Sequence, residues 1–154
     1  MSEKNISANA RKRCREIMTR SVKTANREMT LQEVAVLLRD GDMGCIPIVE
    51  AGKLVGIVTD RDIVVRAIAE GKDFTTKIGD VMTTEIFSVK PSDFVFEAIR
   101  LMGDKQIRRV PVVEETGELA GIISMADIAL EMEDEREIAE TLEEISSGKA
   151  FWSK

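Results

Sequence analysis

Two stretches of the chain place apolar residues at the spacing of one helix face. The first, residues 30–38, opens with the capping-box pattern Thr30-x-x-Glu33, and the second begins at Pro91. The apolar positions of the first are Leu31, Val34, Ala35 and Leu38, and those of the second are Phe94, Ala98, Leu101 and Met102. Side chains at this spacing form a single stripe along a helix. The pattern therefore predicts two amphipathic helices with equivalent places in the chain.

After each helix come two short apolar runs joined by a glycine-containing turn. The runs cover residues 45–49 and 54–58 in the first half, and 110–113 and 119–123 in the second. Runs this short and this rich in Val and Ile predict the strands of a β-hairpin. A further helix follows each hairpin, over residues 60–70 and from residue 125 onward, and a short extended piece at Val22 or Ile86 precedes each half. Each half is thus predicted as strand–helix–strand–strand–helix, a mixed α/β fold of the α+β type.

The two halves also repeat in sequence. Ile17-Met18-Thr19 returns as Val81-Met82-Thr83, Pro47 as Pro111, and residues 56–63 as 121–128. The offset is 64 residues up to Pro111 and 65 after the turn that contains Gly117. Two copies are too few for a solenoid, so we expect a closed pair with pseudo-twofold symmetry and related clefts between the copies. We divide the chain into a polar segment (1–13), two repeat units (14–73 and 77–133) and an acidic C-terminal helix and tail (134–154).

The composition is that of a compact cytoplasmic protein. Of 154 residues, 44% are hydrophobic and 32% are charged. No window approaches the roughly 20 apolar residues of a membrane span, and residues 1–13 lack the apolar core of a signal peptide. Cys14 and Cys45 match neither a disulfide framework nor a metal motif. We expect two free thiols, with Cys45 buried in a strand, and no membrane partner.

Histidine and tyrosine are absent from the sequence. Without histidine the chain lacks Ser-His-Asp and Cys-His catalysis, His-containing zinc sites and the commonest general acid–base group. An enzyme would have to work with carboxylates or lysines. The composition therefore argues against catalysis, and we assign no catalytic residue, no metal ligand and no catalytic cofactor.

Three features together resemble a CBS (cystathionine-β-synthase) domain present twice. They are the order of elements, the Ile46-Pro47 or Val110-Pro111 pair at the hairpin start, and the closing Gly-x-x-Thr/Ser-x-x-Asp motif. The resemblance covers about residues 14 to 133, and a tandem pair of this kind is a Bateman module. Residues 59–63 and 108–112 are also similar to small stand-alone CBS-pair proteins of bacteria and archaea, some tied to stress or hypoxia responses. The resemblance to the CBS family implies a non-catalytic regulatory module that binds AMP, ADP, ATP, NAD or S-adenosylmethionine.

The motifs Thr59-x-x-Asp62 and Ser124-x-x-Asp127 have two interpretations. Each lies where a strand leads into a helix, so each is itself a capping-box pattern that needs no ligand. Uncommitted N–H groups at the same helix end attract phosphate, and a carboxylate beside them can accept hydrogen bonds from both hydroxyls of a ribose. In the CBS family this Asp contacts ribose and the Thr or Ser lies near phosphate. The resemblance makes ligand binding the leading interpretation, with capping as the alternative.

The resemblance further implies two composite clefts, in which the motif of one copy faces the first strand and hairpin start of the other. The first cleft would combine Ile57, Thr59, Arg61, Asp62, Thr83, Ile86, Ile107 and Arg108. The second would combine Thr19, Val22, Met43, Gly44, Ile122, Ser124 and Asp127. Apolar members of each cleft would sandwich the adenine base.

The two predicted clefts differ in charge. Arg61 and Arg108 would give the first cleft charge-assisted phosphate contacts, whereas the equivalent positions of the second are Ala126 and Gly44. We therefore expect the first cleft to bind phosphorylated adenosine ligands more tightly. Arg20 is a possible substitute in the second cleft, and the alternative for Arg61 and Arg108 is a solvated side chain or a surface ion pair.

The C-terminal region is strongly acidic. Between Glu131 and Glu144 the only base is Arg136, while Ile128, Met132, Ile138, Leu142 and Ile145 recur at helical spacing. This pattern predicts a long amphipathic helix that ends near Ser146-Ser147-Gly148, with a solvated charged face. The alternative is a contact with a partner, in which Phe151 and Trp152 form an apolar anchor.

Net charge and apolar surface bear on the partners. A net charge of −6 and a pI near 4.9 make nucleic acid an unexpected partner. We expect a homodimer that covers two exposed helix faces, Leu31/Val34/Leu38 and Phe94/Ala98/Leu101, together with an unidentified effector protein. The alternative function is a ligand-free structural or dimerisation protein, and a weak nucleotide hydrolase is a third hypothesis.

Overall fold

The computed structural model describes residues 12–131 and 143–145 of the chain. These residues belong to two compact units whose limits cross the sequence repeats. Unit 1 holds residues 12–22, 87–115, 120–131 and 143–145, and unit 2 holds residues 23–86 and 116–119. The segment before residue 23, from the first repeat, therefore folds with the second hairpin. The segment that ends at residue 86 folds with the first.

Helices and short antiparallel hairpins alternate along the chain, which confirms the α+β class. In chain order the elements are α1 (Cys14–Ile17), α2 (Leu31–Gly41), β1 (Cys45–Glu50), β2 (Lys53–Thr59), α3 (Asp60–Asp62) continued by a π-helical segment (Ile63–Ile68), a 3₁₀-helix (Ile78–Asp80), α4 (Val95–Lys105), β3 (Arg109–Val113), β4 (Leu119–Ser124) and α5 (Met125–Glu131). Strand β1 pairs with β2 and β3 pairs with β4. All four strands lie where the short apolar runs predict them.

Each unit buries its hairpin against its own long helix. The core of unit 2 contains Leu31, Val34, Leu38, Ile46, Ile48 and Val58, and that of unit 1 contains Val95, Ala98, Met102, Val110, Val112 and Ile123. Helix α2 begins with the predicted capping box, in which the Thr30 hydroxyl accepts the Glu33 N–H at 3.2 Å. The apolar stripe of each helix and one face of each hairpin thus form one core per unit.

The helix faces that we assigned to a dimer contact are not exposed, so that assignment is wrong. Leu31, Val34 and Ala98 are buried inside their own units, and only Phe94 of the two predicted faces is exposed, at 44%. The apolar stripe that the sequence pattern predicted on each helix packs against the hairpin of the same unit. The exposed apolar side chains of unit 2 lie elsewhere, at Val64, Val65 and Ile68 of the π-helical segment and at Phe74.

The predicted opening strands are reduced to single bridges. Ala25 pairs in parallel with Ile48, and Val89 pairs in parallel with Val112. The Ala25 N–H donates to the Pro47 carbonyl at 3.0 Å, and the Ala25 carbonyl accepts from the Val49 N–H at 2.8 Å. To extend this parallel ladder towards the residues before Ala25, Pro47 would have to donate an N–H, which proline lacks. Pro111 prevents the same extension before Val89. The extended pieces therefore form no regular strand.

The second helices of the two copies differ in kind. In unit 2 the helix predicted over residues 60–70 begins as α3 and continues as the π-helical segment, in which the Val64 carbonyl accepts the Ala69 N–H at 2.9 Å. Its counterpart in unit 1, α5, is an ordinary α-helix. Among the described residues, no helix is both long and apolar enough to cross a membrane.

The burial of the two cysteines differs from the prediction, and most of the two chain ends lies outside the described residues. Cys14 is fully buried in unit 1, whereas Cys45 at the start of β1 is only half-buried, so the prediction that Cys45 is the buried thiol is wrong. Most of the predicted acidic helix, with Phe151 and Trp152, lies outside the described residues, as does most of the polar segment 1–13. Within the described part, Glu143–Ile145 is helical and Ile145 joins the core of unit 1.

Burial predicts very different effects for two identical substitutions in unit 2. Val58 on β2 is fully buried, whereas Val64 is 58% exposed. We expect Val58→Ala to lower the free energy of unfolding by roughly 2–3 kcal/mol, since it removes buried methyl groups and leaves a cavity. Val64→Ala is the matched control and should change it by less than about 0.5 kcal/mol. Denaturant unfolding measures both, and equal losses would contradict the described packing.

The buried thiol predicts a loss of stability at high pH. Burial, reinforced by the nearby Asp93 carboxylate, raises the pKa of Cys14 from 9.0 to about 12. The unfolded chain loses this proton above its ordinary pKa while the folded chain keeps it, so the free energy of unfolding falls as the pH rises from 9 towards 12. Denaturant unfolding across that range should show a shallower decline for Cys14→Ala than for the wild type. A decline in Cys14→Ala as steep as that of the wild type would argue against the assignment.

Candidate functional site

A reciprocal capping box is present at the start of the second helix in each unit. In unit 2 the Asp62 N–H donates to the Thr59 hydroxyl, and the Thr59 N–H donates to the Asp62 carboxylate, both at 3.0 Å. In unit 1 the Asp127 N–H donates to the Ser124 hydroxyl at 3.1 Å, and the Ser124 N–H donates to the Asp127 carboxylate at 2.9 Å. The structural interpretation of the Thr/Ser-x-x-Asp motif is therefore confirmed for both copies.

The capping box uses only one oxygen of each carboxylate. The Oδ2 atoms of Asp62 and Asp127 accept the cap N–H groups, which leaves the Oδ1 atoms outside the two boxes. A carboxylate oxygen can accept more than one hydrogen bond, so capping and ligand binding do not exclude each other at these residues.

The first turn of α3 offers phosphate fewer N–H groups than the sequence led us to expect. The Asp60 N–H donates to the Gly44 carbonyl at 3.1 Å, the Arg61 N–H to the Asp60 carboxylate at 2.8 Å, and the Asp62 N–H to Thr59. The expectation of uncommitted N–H groups is therefore wrong for unit 2. Its physical reason is the close approach of the hairpin start, which supplies a carbonyl to the helix end.

Thr83 brings the segment from the second repeat up to the motif of the first. Thr83 and Ile57 exchange two backbone hydrogen bonds, of 2.8 and 2.9 Å, in an antiparallel bridge. The Thr83 hydroxyl lies 3.4 and 3.5 Å from the two carboxylate oxygens of Asp62. The motif of one copy thus faces the first segment of the other, which is the juxtaposition that the resemblance implied.

The same backbone exchange occurs in unit 1, but there the threonine hydroxyl does not hydrogen-bond to the aspartate of the motif. Thr19 and Ile122 share hydrogen bonds of 2.9 and 3.0 Å. Among the described residues, however, no hydrogen bond joins the Thr19 hydroxyl to Asp127. In unit 1 the exchange needs glycine one position before the isoleucine, because a Cβ on Gly121 would lie 2.7 Å from the Thr19 carbonyl, whereas a Cβ on Gly56 would meet only the Met82 side chain.

The structure divides the residues of each predicted cleft between the units. Unit 2 holds Ile57, Thr59, Arg61, Asp62, Thr83 and Ile86 of the first cleft, and unit 1 holds Ile107 and Arg108. Unit 1 holds Thr19, Val22, Ile122, Ser124 and Asp127 of the second cleft, and unit 2 holds Met43 and Gly44. The ligand-binding role of all these residues stays a prediction.

The hairpin starts contact the second helix of their own unit. The Gly44 carbonyl accepts the Asp60 N–H, and at the equivalent place in unit 1 the Arg108 carbonyl accepts the Met125 N–H at 2.9 Å. The backbone of Arg108 therefore adjoins the helix that carries Asp127. Arg20, which we considered as a cation for the second cleft, donates from Nη2 to the Arg15 carbonyl at 3.2 Å.

Arg66 is a site residue that the sequence reasoning missed. Its Nη1 atom donates to the Thr83 hydroxyl at 3.1 Å and to the Met82 carbonyl at 3.2 Å. The available signal was its position four residues after Asp62, which places both side chains on one side of a helix. Unit 2 therefore sets a guanidinium and a carboxylate on either side of one threonine hydroxyl.

The chain matches a known protein family over most of its length. The model of the CBS domain matches residues 14–68 and 78–134. The chain belongs to the CBS-domain family and carries the domain as a tandem pair, or Bateman module. It is 38% identical over 132 residues to the CBS domain-containing protein YhcV of Bacillus subtilis, an alignment that covers 86% of this chain and 94% of YhcV.

Solved structures of CBS-pair proteins have the same fold. A CBS domain protein from Pyrobaculum aerophilum, PAE2072, complexed with AMP, has a TM-score of 0.72 at 28% identity, over 84% of this chain and 99% of that one. The CBS pair of protein MJ0100, in complex with 5-methylthioadenosine and S-adenosyl-L-methionine, has a TM-score of 0.69 at 28% identity, over 77% and 94%. Both were solved with adenosine-containing small molecules.

A third structure contains a metal. Hypoxic Response Protein I with two coordinated zinc ions has a TM-score of 0.72 at 34% identity, over 79% of this chain and 99% of that one. In the part of this chain that the structure describes, no group of three or more His, Cys, Asp or Glu side chains is placed to hold a metal ion. The comparison therefore adds no metal ligand to the candidate site.

Proposed function

We propose that the chain is a non-catalytic regulatory module that binds adenosine-containing ligands at the sites around Asp62 and Asp127. One observation carries the proposal: the Asp62 carboxylate keeps Oδ1 outside its capping box, and its two oxygens lie 3.4 and 3.5 Å from the Thr83 hydroxyl. A carboxylate so placed can accept hydrogen bonds from the two hydroxyls of a ribose, as an acidic residue does in dinucleotide-binding folds.

Two aliphatic residues, one in the backbone bridge with Thr83 and one in the segment that follows it, suit the base of such a ligand. Ile57 forms the bridge with Thr83, Ile86 lies three residues farther along the same segment, and both are half-buried. A flat aromatic ring is buried well between aliphatic groups, with a few polar groups to orient it. The AMP of PAE2072 and the adenosyl ligands of MJ0100 support the same ligand class for this chain.

The ligand would act as a signal, not as a substrate. The sequence has no histidine, which is the commonest general acid–base group in catalysis. The ligands that we propose are AMP, ADP, ATP, NAD and S-adenosylmethionine, and an effector protein would respond to the occupied module. The finer assignment of Ile107 and Arg108 to the first cleft, and of Met43 and Gly44 to the second, belongs to this proposal.

Ligand binding predicts a thermal shift that depends more on Asp62 than on Asp127. A ligand at about 100 times its dissociation constant stabilises one site by about 2.7 kcal/mol, which raises the melting temperature by roughly 5–10 °C. We expect AMP or ATP to produce this shift, Asp62→Ala to abolish most of it, and Asp127→Ala to reduce it less. Each variant is compared with its own ligand-free melting temperature, because both substitutions also remove a helix cap worth about 1 kcal/mol.

Two outcomes would reject parts of this proposal. If Asp127→Ala removes the response while Asp62→Ala retains it, the stronger site is in unit 1. If no adenosyl compound shifts the melting temperature at millimolar concentration, the capping boxes are purely structural. The second candidate, a ligand-free dimerisation protein in which the capping boxes only stabilise the helix ends, would then be the better account.

A homodimer is part of the proposal, with a revised contact. The apolar side chains left exposed in unit 2 include Val65 and Ile68, on one short segment. Contiguous apolar surface of this kind is commonly covered by a second copy. Sedimentation at micromolar concentration should give a dimer, and Val65→Glu with Ile68→Glu should shift it to monomer. Dimerisation unchanged by this pair would remove the contact from the proposal, and a wild-type monomer would remove the dimer.

A further inference from the structure

We infer that Arg66 recognises the anionic group of the ligand in unit 2, so that this site selects nucleoside phosphates over uncharged adenosyl compounds. The inference rests on the proposed function and extends it to the chemistry of one ligand group. It depends on three observations: the position of Arg66 beside Thr83, the committed backbone of α3, and the residue that replaces Arg66 in the second repeat.

The first observation is the arrangement of charges around one hydroxyl. Thr83 Oγ1 lies 3.1 Å from the Arg66 guanidinium and 3.4 Å from the Asp62 carboxylate. Since Arg66 donates to this oxygen, the threonine proton is free to point at Asp62. The guanidinium and the carboxylate therefore both contact the same hydroxyl group. A ligand whose ribose contacts Asp62 would carry its phosphate towards Arg66.

The second observation is that the backbone of α3 cannot supply the phosphate contact. Its first three N–H groups donate to Gly44, to the Asp60 side chain and to Thr59. Phosphate must therefore be bound by side chains. Arg66 suits this role because Nη1 anchors it, while its Nε and Nη2 groups make no hydrogen bond to any described residue. The Arg61 side chain is exposed and makes no hydrogen bond to another described residue, so no contact within the described part of the chain holds it in one position.

The third observation is the contrast with the second repeat. The residue that corresponds to Arg66 is Glu131, and its carboxylate pairs with Lys12 of the same unit at 3.2 Å. Unit 1 thus has an acidic group where unit 2 has a guanidinium. Arg66 also lies within the π-helical segment, a rare conformation that often accompanies functional sites, whereas Glu131 ends an ordinary α-helix. The two sites share a frame and differ in the charge that they offer to a ligand.

Calorimetric titration with AMP and with adenosine tests the inference, since the two probes differ only in the phosphate. A lost charge-assisted hydrogen bond predicts that Arg66→Ala weakens AMP binding by about 10- to 100-fold. Adenosine binding should change by less than about 2-fold, because no charged contact is lost. Arg66→Lys should recover part of the AMP affinity, and Arg66→Glu, which copies the second repeat, should lose the most. The control is Arg39→Ala, an exposed arginine of unit 2 that pairs with Asp40.

Each other outcome overturns the inference in a recognisable way. If Arg66→Ala weakens AMP and adenosine equally, Arg66 only positions Thr83 and does not contact the anion. If Arg66→Ala binds AMP like the wild type, or if the AMP site depends on Asp127 and not on Asp62, the inference fails while the proposed function stands. If the wild type binds no adenosyl compound, both fail together. Melting curves of the ligand-free variants show whether each is folded.

Discussion

The candidate site depends on a two-bond backbone exchange between a hairpin strand and a segment of the other sequence repeat. Ile57 and Thr83 make this exchange in unit 2, and Ile122 and Thr19 make it in unit 1. In unit 1 it requires Gly121, because the Thr19 carbonyl lies 2.7 Å from the place of a Cβ there. The exchange fixes Thr83 beside Asp62 and within reach of Arg66. Without this exchange the motif would still form a helix cap, but Thr83 would not lie beside Asp62.

The capping box and the proposed ligand site share one carboxylate, and this sharing would constrain how a ligand is bound. Oδ2 of Asp62 holds the helix start, so its position is set before any ligand arrives. A binding group that is held in place by the fold loses little conformational freedom on binding. The same arrangement commits the N–H groups of α3 to the protein. Under the proposal, recognition of a phosphate would fall to cationic side chains, so the charge of the site would depend on a few residues.

The two repeats reproduce one frame and vary its charges. Both have the hairpin, the capping box and the backbone exchange, whereas Arg66 and its counterpart Glu131 have opposite charges. Two structures with the same fold were solved with AMP and with adenosyl ligands. A pair of sites with one frame and unequal charge can respond to different ligands, or to one ligand at two concentrations.

The sequence by itself determined the helices, the hairpins, the repeat and the family, because these depend on spacing within short segments. Apolar stripes located α2 and α4, and the Thr-x-x-Asp and Ser-x-x-Asp patterns located both capping boxes. Only the tertiary structure decided which surfaces pair. It buried the helix faces that we had assigned to a dimer, buried Cys14 instead of Cys45, and brought Arg66 to Thr83 across 17 positions of the chain. Such contacts join residues that are distant in sequence, and no local pattern encodes which distant segment a surface will meet.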